Sequence, residues 1–253
     1  MAAGKWTREE EIIVLDLYCK ISFKSSSKNN PDVIKIANLI GRTPSAVNMK
    51  IGNFGSFDNR LKEQGIVGLS NASKLDKEIF FEFNKRWDEL AYESKKLIAK
   101  YTGHQIEDEY EKSRDGYEKE VLVKQRVNQQ FFRQAVLASY NGACCVTGLS
   151  NTELLVASHI KPWKDSTCSE KTDPTNGLCL NALHDKAFDR GFITVSDKYF
   201  IRVSDEIRDV CDGEAVEKFF KSLKGCQITL PEKFLPKKEY LQYHNDCIYE
   251  NWK

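Results

Sequence analysis

The sequence predicts an α+β protein, helical through its first half and mixed helix and strand in its carboxyl-terminal domain. Two observations carry this. Before about residue 140 the apolar residues recur at helical spacing, as in Phe80, Phe83, Trp87, Leu90 and Leu97. After Gly142 the pattern changes: Leu154-Leu155-Val156-Ala157 reads as a buried strand, and Phe192-Ile193-Thr194-Val195 and Tyr199-Phe200-Ile201-Arg202-Val203 flank Ser196-Asp197 as a hairpin. Three segments follow: a helical domain at 1–72, a helical connector at 73–121 and an α+β domain at 122–253.

The helical domain opens with Thr7 and Glu10, spaced as a capping box, followed by Ile12, Ile13, Leu15, Leu17 and Ile21. The polar run Ser25-Ser26-Ser27-Lys28-Asn29-Asn30-Pro31 ends that helix. A second helix carries Val33, Ile36, Ala37 and Ile40, and Gly41-Arg42-Thr43-Pro44 breaks it. The third starts after Pro44, with Ser45 as its cap and Ala46, Val47 and Ile51 as its apolar contacts. Helix, short glycine turn and helix make a helix-turn-helix outline. Arg42, Ser45, Asn48, Lys50 and Asn53 are then the side chains expected to meet bases and phosphates. Between Lys35 and Lys62, five basic residues face Asp58 alone, the local charge excess that nucleic acid attracts. Lys5-Trp6-Thr7-Arg8-Glu9-Glu10 also resembles the start of Myb-like helical domains.

One long helix is expected through Phe80 to Leu97, then an acidic hinge at 106–120 between Gly103 and the next helix, which runs from about Leu122 to Tyr140. The chain has 253 residues and net charge +1, so nucleic-acid contact must come from local basic surface rather than a global field. Eight cysteines include no Cys-x-x-Cys pair, which argues against a zinc finger. No apolar run reaches membrane-spanning length, and Met1 to Trp6 lacks the features of a signal peptide, so the cytoplasm is the expected compartment and no membrane partner is expected.

The chemistry concentrates in three stretches. Ser158-His159-Ile160-Lys161-Pro162-Trp163 places a histidine at the end of a strand. Asn176-Gly177-Leu178-Cys179-Leu180 follows a polar loop, and Leu183-His184-Asp185-Lys186-Ala187-Phe188-Asp189-Arg190-Gly191 lies on a helix. At 100° per residue, Leu180, Leu183, Ala187 and Phe188 share one helical face with His184 among them. Asp189 falls about 140° away from His184. Two histidines and an asparagine so gathered can divide the work of hydrolysis. One imidazole takes a proton from water. The other binds a divalent cation.

These residues resemble the HNH nucleases with a ββα-metal fold. The resembling subgroup has a Cys-x-x-Thr-Gly, Ser-His-Ile-x-Pro-Trp, Asn-Gly-Leu-x-Leu, Leu-His-x-x-x-Phe-Asp-x-Gly pattern. Cys144 or Cys145 with Thr147-Gly148 supplies its first piece, and Arg126-x-x-Gln129-x-x-Phe132-Arg133 matches the helix before it. The resemblance covers about residues 122 to 253 and implies roles. His159 is the general base, Asn176 orients it by a hydrogen bond, and His184 ligates magnesium, manganese or another divalent transition metal. Ser158 stands where many relatives carry an acidic second ligand. Arg126 and Lys161 are expected on the DNA, and His244 in a supporting role. The implied function is a metal-dependent endonuclease on double-stranded DNA, in restriction or phage defence. A DNA-binding regulator with an inactive HNH fold, a homing-type enzyme and an RNA-cleaving nuclease are the alternatives. Double-strand cutting by a single-site nuclease favours a homodimer.

Overall fold

A computed structural model describes residues 4–66, 68–69, 71–103, 117–210 and 212–249, without the side chains of 117–119 and 208–210. The expected hinge at 106–120 and His104 lie largely outside the described residues. The architecture is α+β, and the chain divides into two compact units, 1–138 and 139–253. No described helix is long and apolar enough to cross a membrane.

In the first unit α1 (Arg8–Lys20) starts from the capping box read from the sequence. Thr7 Oγ1 accepts the Glu10 N–H, and the Glu10 carboxylate accepts the Thr7 N–H at 2.8 Å. From Ile12 to Cys19 α1 is buried all round, so it forms the centre of the unit rather than a surface helix. Around it pack α2 (Pro31–Leu39) and α3 (Pro44–Gly55), joined through Gly41 at φ 68°. The cap of α3 is Thr43, whose Oγ1 accepts the Ala46 N–H at 3.2 Å. Ser45, the expected cap, is an exposed residue of the first turn: Pro44 has no N–H to cap and sits at the first helical position, so the cap lies two residues earlier, at Thr43.

A short α4 (Asn59–Glu63) leads towards α5 (Lys74–Phe83) and α6 (Trp87–Thr102). The sequence predicts these last two as one helix. Lys85 at φ 72° breaks them, since a left-handed residue cannot continue an α-helix. The break lets both helices, from the stretch read as a connector, pack on α1. Ser94 on α6 donates to Asp16 on α1 at 3.0 Å. The last helix of the unit, α7 (Tyr117–Ser139), stacks Phe131 on Trp87.

Two expected DNA contacts turn out to be interior. Lys50 is 5% exposed, and its ammonium lies between Glu11 and Asp76, with the Trp6 ring 4.7 Å away. Arg42 reaches both Glu10 oxygens at 2.8 and 2.9 Å, donates to the Gly4 and Lys5 carbonyls, and stacks over Trp6. Helical phase from the sequence cannot see these acids, which lie 26 to 39 residues away in the chain.

One lysine between two carboxylates leaves a negative charge in excess. Burial opposes the charge of Asp76, but its bonds to Lys50 and Ser73 outweigh this and hold its pKa low. Glu11 is pushed up to about 7 by burial, against the pull of Lys50. Glu11 therefore binds its proton more tightly folded than unfolded, where the value is about 4.5. Its contribution to stability is full below about pH 4.5 and is lost as pH rises through about 7. Melting curves between pH 5 and pH 8 are expected to show the first unit more stable at the acidic end, a dependence that Glu11→Gln removes.

In the second unit, β1 (Leu155–His159) pairs antiparallel with β2 (Gly177–Asn181), from Leu155 opposite Asn181 to His159 opposite Gly177. Leu180 therefore belongs to a strand, not to the helix face assigned from its spacing. Helix α8 (Ala182–Asp189) begins after Asn181, whose Oδ1 accepts the His184 N–H at 3.0 Å. Its buried residues are His184, Ala187 and Phe188, while Leu183 is 47% exposed. The expected hairpin is present as β3 (Ile193–Val195) and β4 (Ile201–Val203). Then come α9 (Asp205–Val210), α10 (Glu214–Phe219) and α11 (Lys238–His244).

His244 fastens these pieces together. Its ring stacks on Phe188 at 3.7 Å, Nε2 donates to the Phe188 carbonyl, and Nδ1 meets Thr194 Oγ1 at 2.8 Å. Burial pushes its pKa down to about 4, so the ring is neutral where it bridges α8, β3 and α11.

Candidate functional site

The strands β1 and β2 are joined by a loop of residues 160–176, and Asn176 is its staple. Fully buried, its Oδ1 accepts the Lys161 N–H at 2.8 Å. Its Nδ2 faces the Lys161 and Glu170 carbonyls at 3.3 and 3.2 Å and Ser166 Oγ at 3.4 Å. The expected bond from Asn176 to the His159 ring is absent: the amide is occupied by the loop itself. Asn176 acts on His159 through the backbone, since its carbonyl accepts the N–H of Ile160 at 2.9 Å. Removing a buried hydrogen-bonding hub leaves its partners unsatisfied, at about 1–3 kcal/mol. Asn176→Ala is expected to lower the stability of the second unit by that order in denaturant unfolding.

His159 ends β1, partly buried and edge-on to Trp163 at 5.5 Å. Its Nε2 lies 3.0 Å from the Lys171 carbonyl, which can only accept, so Nε2 carries the proton and Nδ1 the lone pair. Burial lowers the pKa of the ring, against the pull of that carbonyl. The result is a neutral imidazole in a fixed tautomer.

His184 has a different environment. It is 0% exposed, with Nδ1 at 3.1 Å from Asn181 Oδ1 and Nε2 at 2.9 Å from the Phe219 carbonyl. Its neighbours are the Phe220 ring and Cys144, whose thiol is brought down to about 7, against its own burial, by bonds to His184 and Thr147. Helical phase correctly turned this ring inward, but inward is the dry core. Both nitrogens lie against protein acceptors, the Asn181 Oδ1 and the Phe219 carbonyl. Its partner Asn181 pairs with Leu155, at the opposite end of β1 from His159.

The next residue, Asp185, lies beside Ser158. Ser158, beside His159, buries an Oγ that has no hydrogen bond of ordinary geometry. Its hydroxyl nonetheless lies close enough to stabilise the charged form of Asp185. Asp189 follows four residues later on the same face of α8. Asp185 is partly and Asp189 largely exposed. Desolvation raises the pKa of both, and the charge of Asp185 raises Asp189 further. Like charges at this spacing weaken a helix.

Residues 144–196 match a family model described as HNH endonuclease. The chain carries an HNH endonuclease domain. No curated protein matches the chain. Within the HNH domain the match runs from Cys144 to the end of β3, so it contains His159, Asn176 and α8.

The sequence motifs single out His159, Asn176 and His184 and leave Asp185 aside. The signal was available: counted from the cap at Asn181, Asp185 and Asp189 are an i,i+4 acidic pair. Including Leu180 in the helix favoured His184 instead. Of the expected DNA contacts, Lys161 is tied to both Glu170 oxygens at 2.8 and 2.9 Å. Arg126 is exposed on α7, Ser45 is exposed on α3, and Asn48, partly exposed, accepts from Ser26 at 2.7 Å.

Proposed function

We propose that the HNH domain hydrolyses DNA phosphodiester bonds, with His159 as general base and Asp185 and Asp189 as the protein ligands of a divalent cation. The carrying observation is the His159 ring, neutral and locked by the Lys171 carbonyl, at the strand end next to Ser158, whose hydroxyl reaches Asp185. In this tautomer Nδ1 accepts the proton of an attacking water, and burial keeps the ring unprotonated near neutral pH.

The described residues hold no group of three or more His, Cys, Asp or Glu side chains arranged for a metal. Two carboxylates and the buried Ser158 hydroxyl beside one of them nevertheless fit a hard cation, whose remaining positions water and phosphate fill. Oxygen donors favour magnesium or manganese. When bound, the cation polarises a phosphate oxygen and stabilises the leaving alkoxide. A helix face with two adjacent acids and raised pKa values is relieved by such a charge.

The first unit is read as the part that grips double-stranded DNA, through the face of α3 bearing Ser45, Asn48 and the 60% exposed Met49. Joined to a nuclease domain, such a grip suits a restriction or phage-defence enzyme. Purified protein incubated with plasmid, modified phage DNA and structured RNA, with magnesium, manganese or chelator, tests this. Metal-dependent nicking of DNA is expected. Cleavage of RNA alone, or DNA binding with no cleavage under any condition, overturns it.

A further inference from the structure

The loop that carries His159's partner contains three lysines, Lys161, Lys164 and Lys171, and the two that flank its Glu170 turn have opposite fates. Lys161 is neutralised by Glu170, which also accepts the Thr167 N–H, and its ammonium lies 5.4 Å from the Tyr243 ring. Lys171 has no carboxylate partner among the described residues. Its ammonium rests 4.9 Å over the face of Trp163, the ring that meets His159 edge-on. Its own carbonyl receives the His159 Nε2–H. The base is thus wedged between the backbone of Lys171 and the indole that carries the Lys171 charge.

We propose that Lys171 holds a non-bridging oxygen of the scissile phosphate beside His159. The inference rests on the nuclease reading of this site and deepens it. A cation needs a counter-charge, and folding supplies Lys161 with one and Lys171 with none. The Trp163 face holds the ammonium by a cation–π contact, which positions it without neutralising it. A compact ammonium is suited to one phosphate oxygen as a point charge. Next to Lys171, Thr172 is 1% exposed and its Oγ1 has no hydrogen-bond partner, so this end of the loop keeps a further unused polar group.

The backbone carbonyl survives any change of side chain, so substitution separates the two contributions of residue 171. Lys171→Met keeps the stem on Trp163 and removes the charge, while Lys171→Arg keeps the charge. Binding of a short duplex is measured in chelator across a range of salt, and kcat and KM are measured with manganese. Lys171→Met is expected to lower the slope of log K against log salt by about one phosphate contact. It is also expected to lower kcat/KM about tenfold, mainly through KM, as loss of a contact made in ground and transition states alike predicts. Lys171→Arg restores both to within about twofold. An unchanged salt slope and unchanged KM in Lys171→Met, in a protein whose wild type cleaves DNA, overturn the inference and leave the nuclease reading standing. A melting temperature that falls in Lys171→Met with slope and KM unmoved assigns the side chain to structure alone, and also overturns it. A wild type that neither binds nor cleaves DNA removes both.

Discussion

His159→Ala is expected to lower the rate of DNA cleavage by about 10²–10⁴-fold, the usual contribution of a positioned general base. The fold should be nearly unchanged, because residue 159 is held in β1 by backbone pairing with Gly177 and its ring is only partly buried. DNA affinity in chelator should also be unchanged, because a neutral imidazole contributes no charge to the phosphate. The same neutrality predicts the pH profile of the wild type. Burial lowers the pKa of His159, so the acidic limb of kcat/KM falls below the ordinary histidine value of about 6.5. A limb above that value indicates a different base. His184→Ala is expected to behave in the opposite way. Its ring fills the core against Phe220 and satisfies Asn181 and the Phe219 carbonyl, so stability falls and activity is lost only as far as folding is.

Lys50→Ala is expected to destabilise the first unit by about 3–5 kcal/mol, because it strands two buried carboxylates without their cation. That corresponds to a drop of roughly 10 °C or more in melting temperature. A lysine serving DNA from the surface of α3 gives the reverse pattern, weaker binding at constant stability. The two measurements therefore separate the interior position seen in the structure from the role expected of it in a recognition helix. Restoring charge balance by adding Asp76→Asn to Lys50→Ala should recover part of the loss.

Local signals were legible in the sequence, and distant partners were not. The Thr7–Glu10 capping box, the hairpin around Ser196-Asp197 and the end of β1 at His159 are written within a few residues, and all are present. The break at Lys85 was hidden because an apolar period of 3.6 continues across it from Phe83 to Trp87. Lys50 and Arg42 looked like DNA contacts because their acidic partners come from other helices. Lys171 went unnoticed because nothing local distinguishes it from Lys161; only the fold gives one of them Glu170. The placing of the proposed ligand on Asp185 rather than His184 has a similar cause. The inward face of α8 was taken as the site, whereas His184 belongs to the core and Asp185 to the face beside Ser158.

The central claim, that Asp185 with Asp189 and not His184 holds the cation used by His159, is tested most directly by plasmid nicking across a manganese titration with wild type and Asp185→Asn. Half-saturation in the variant should move to manganese concentrations at least about tenfold higher, the usual effect of weakening a metal site. The variant should keep the wild-type melting temperature in chelator. An Asp185→Asn protein that cleaves with wild-type rate and wild-type manganese dependence contradicts the claim.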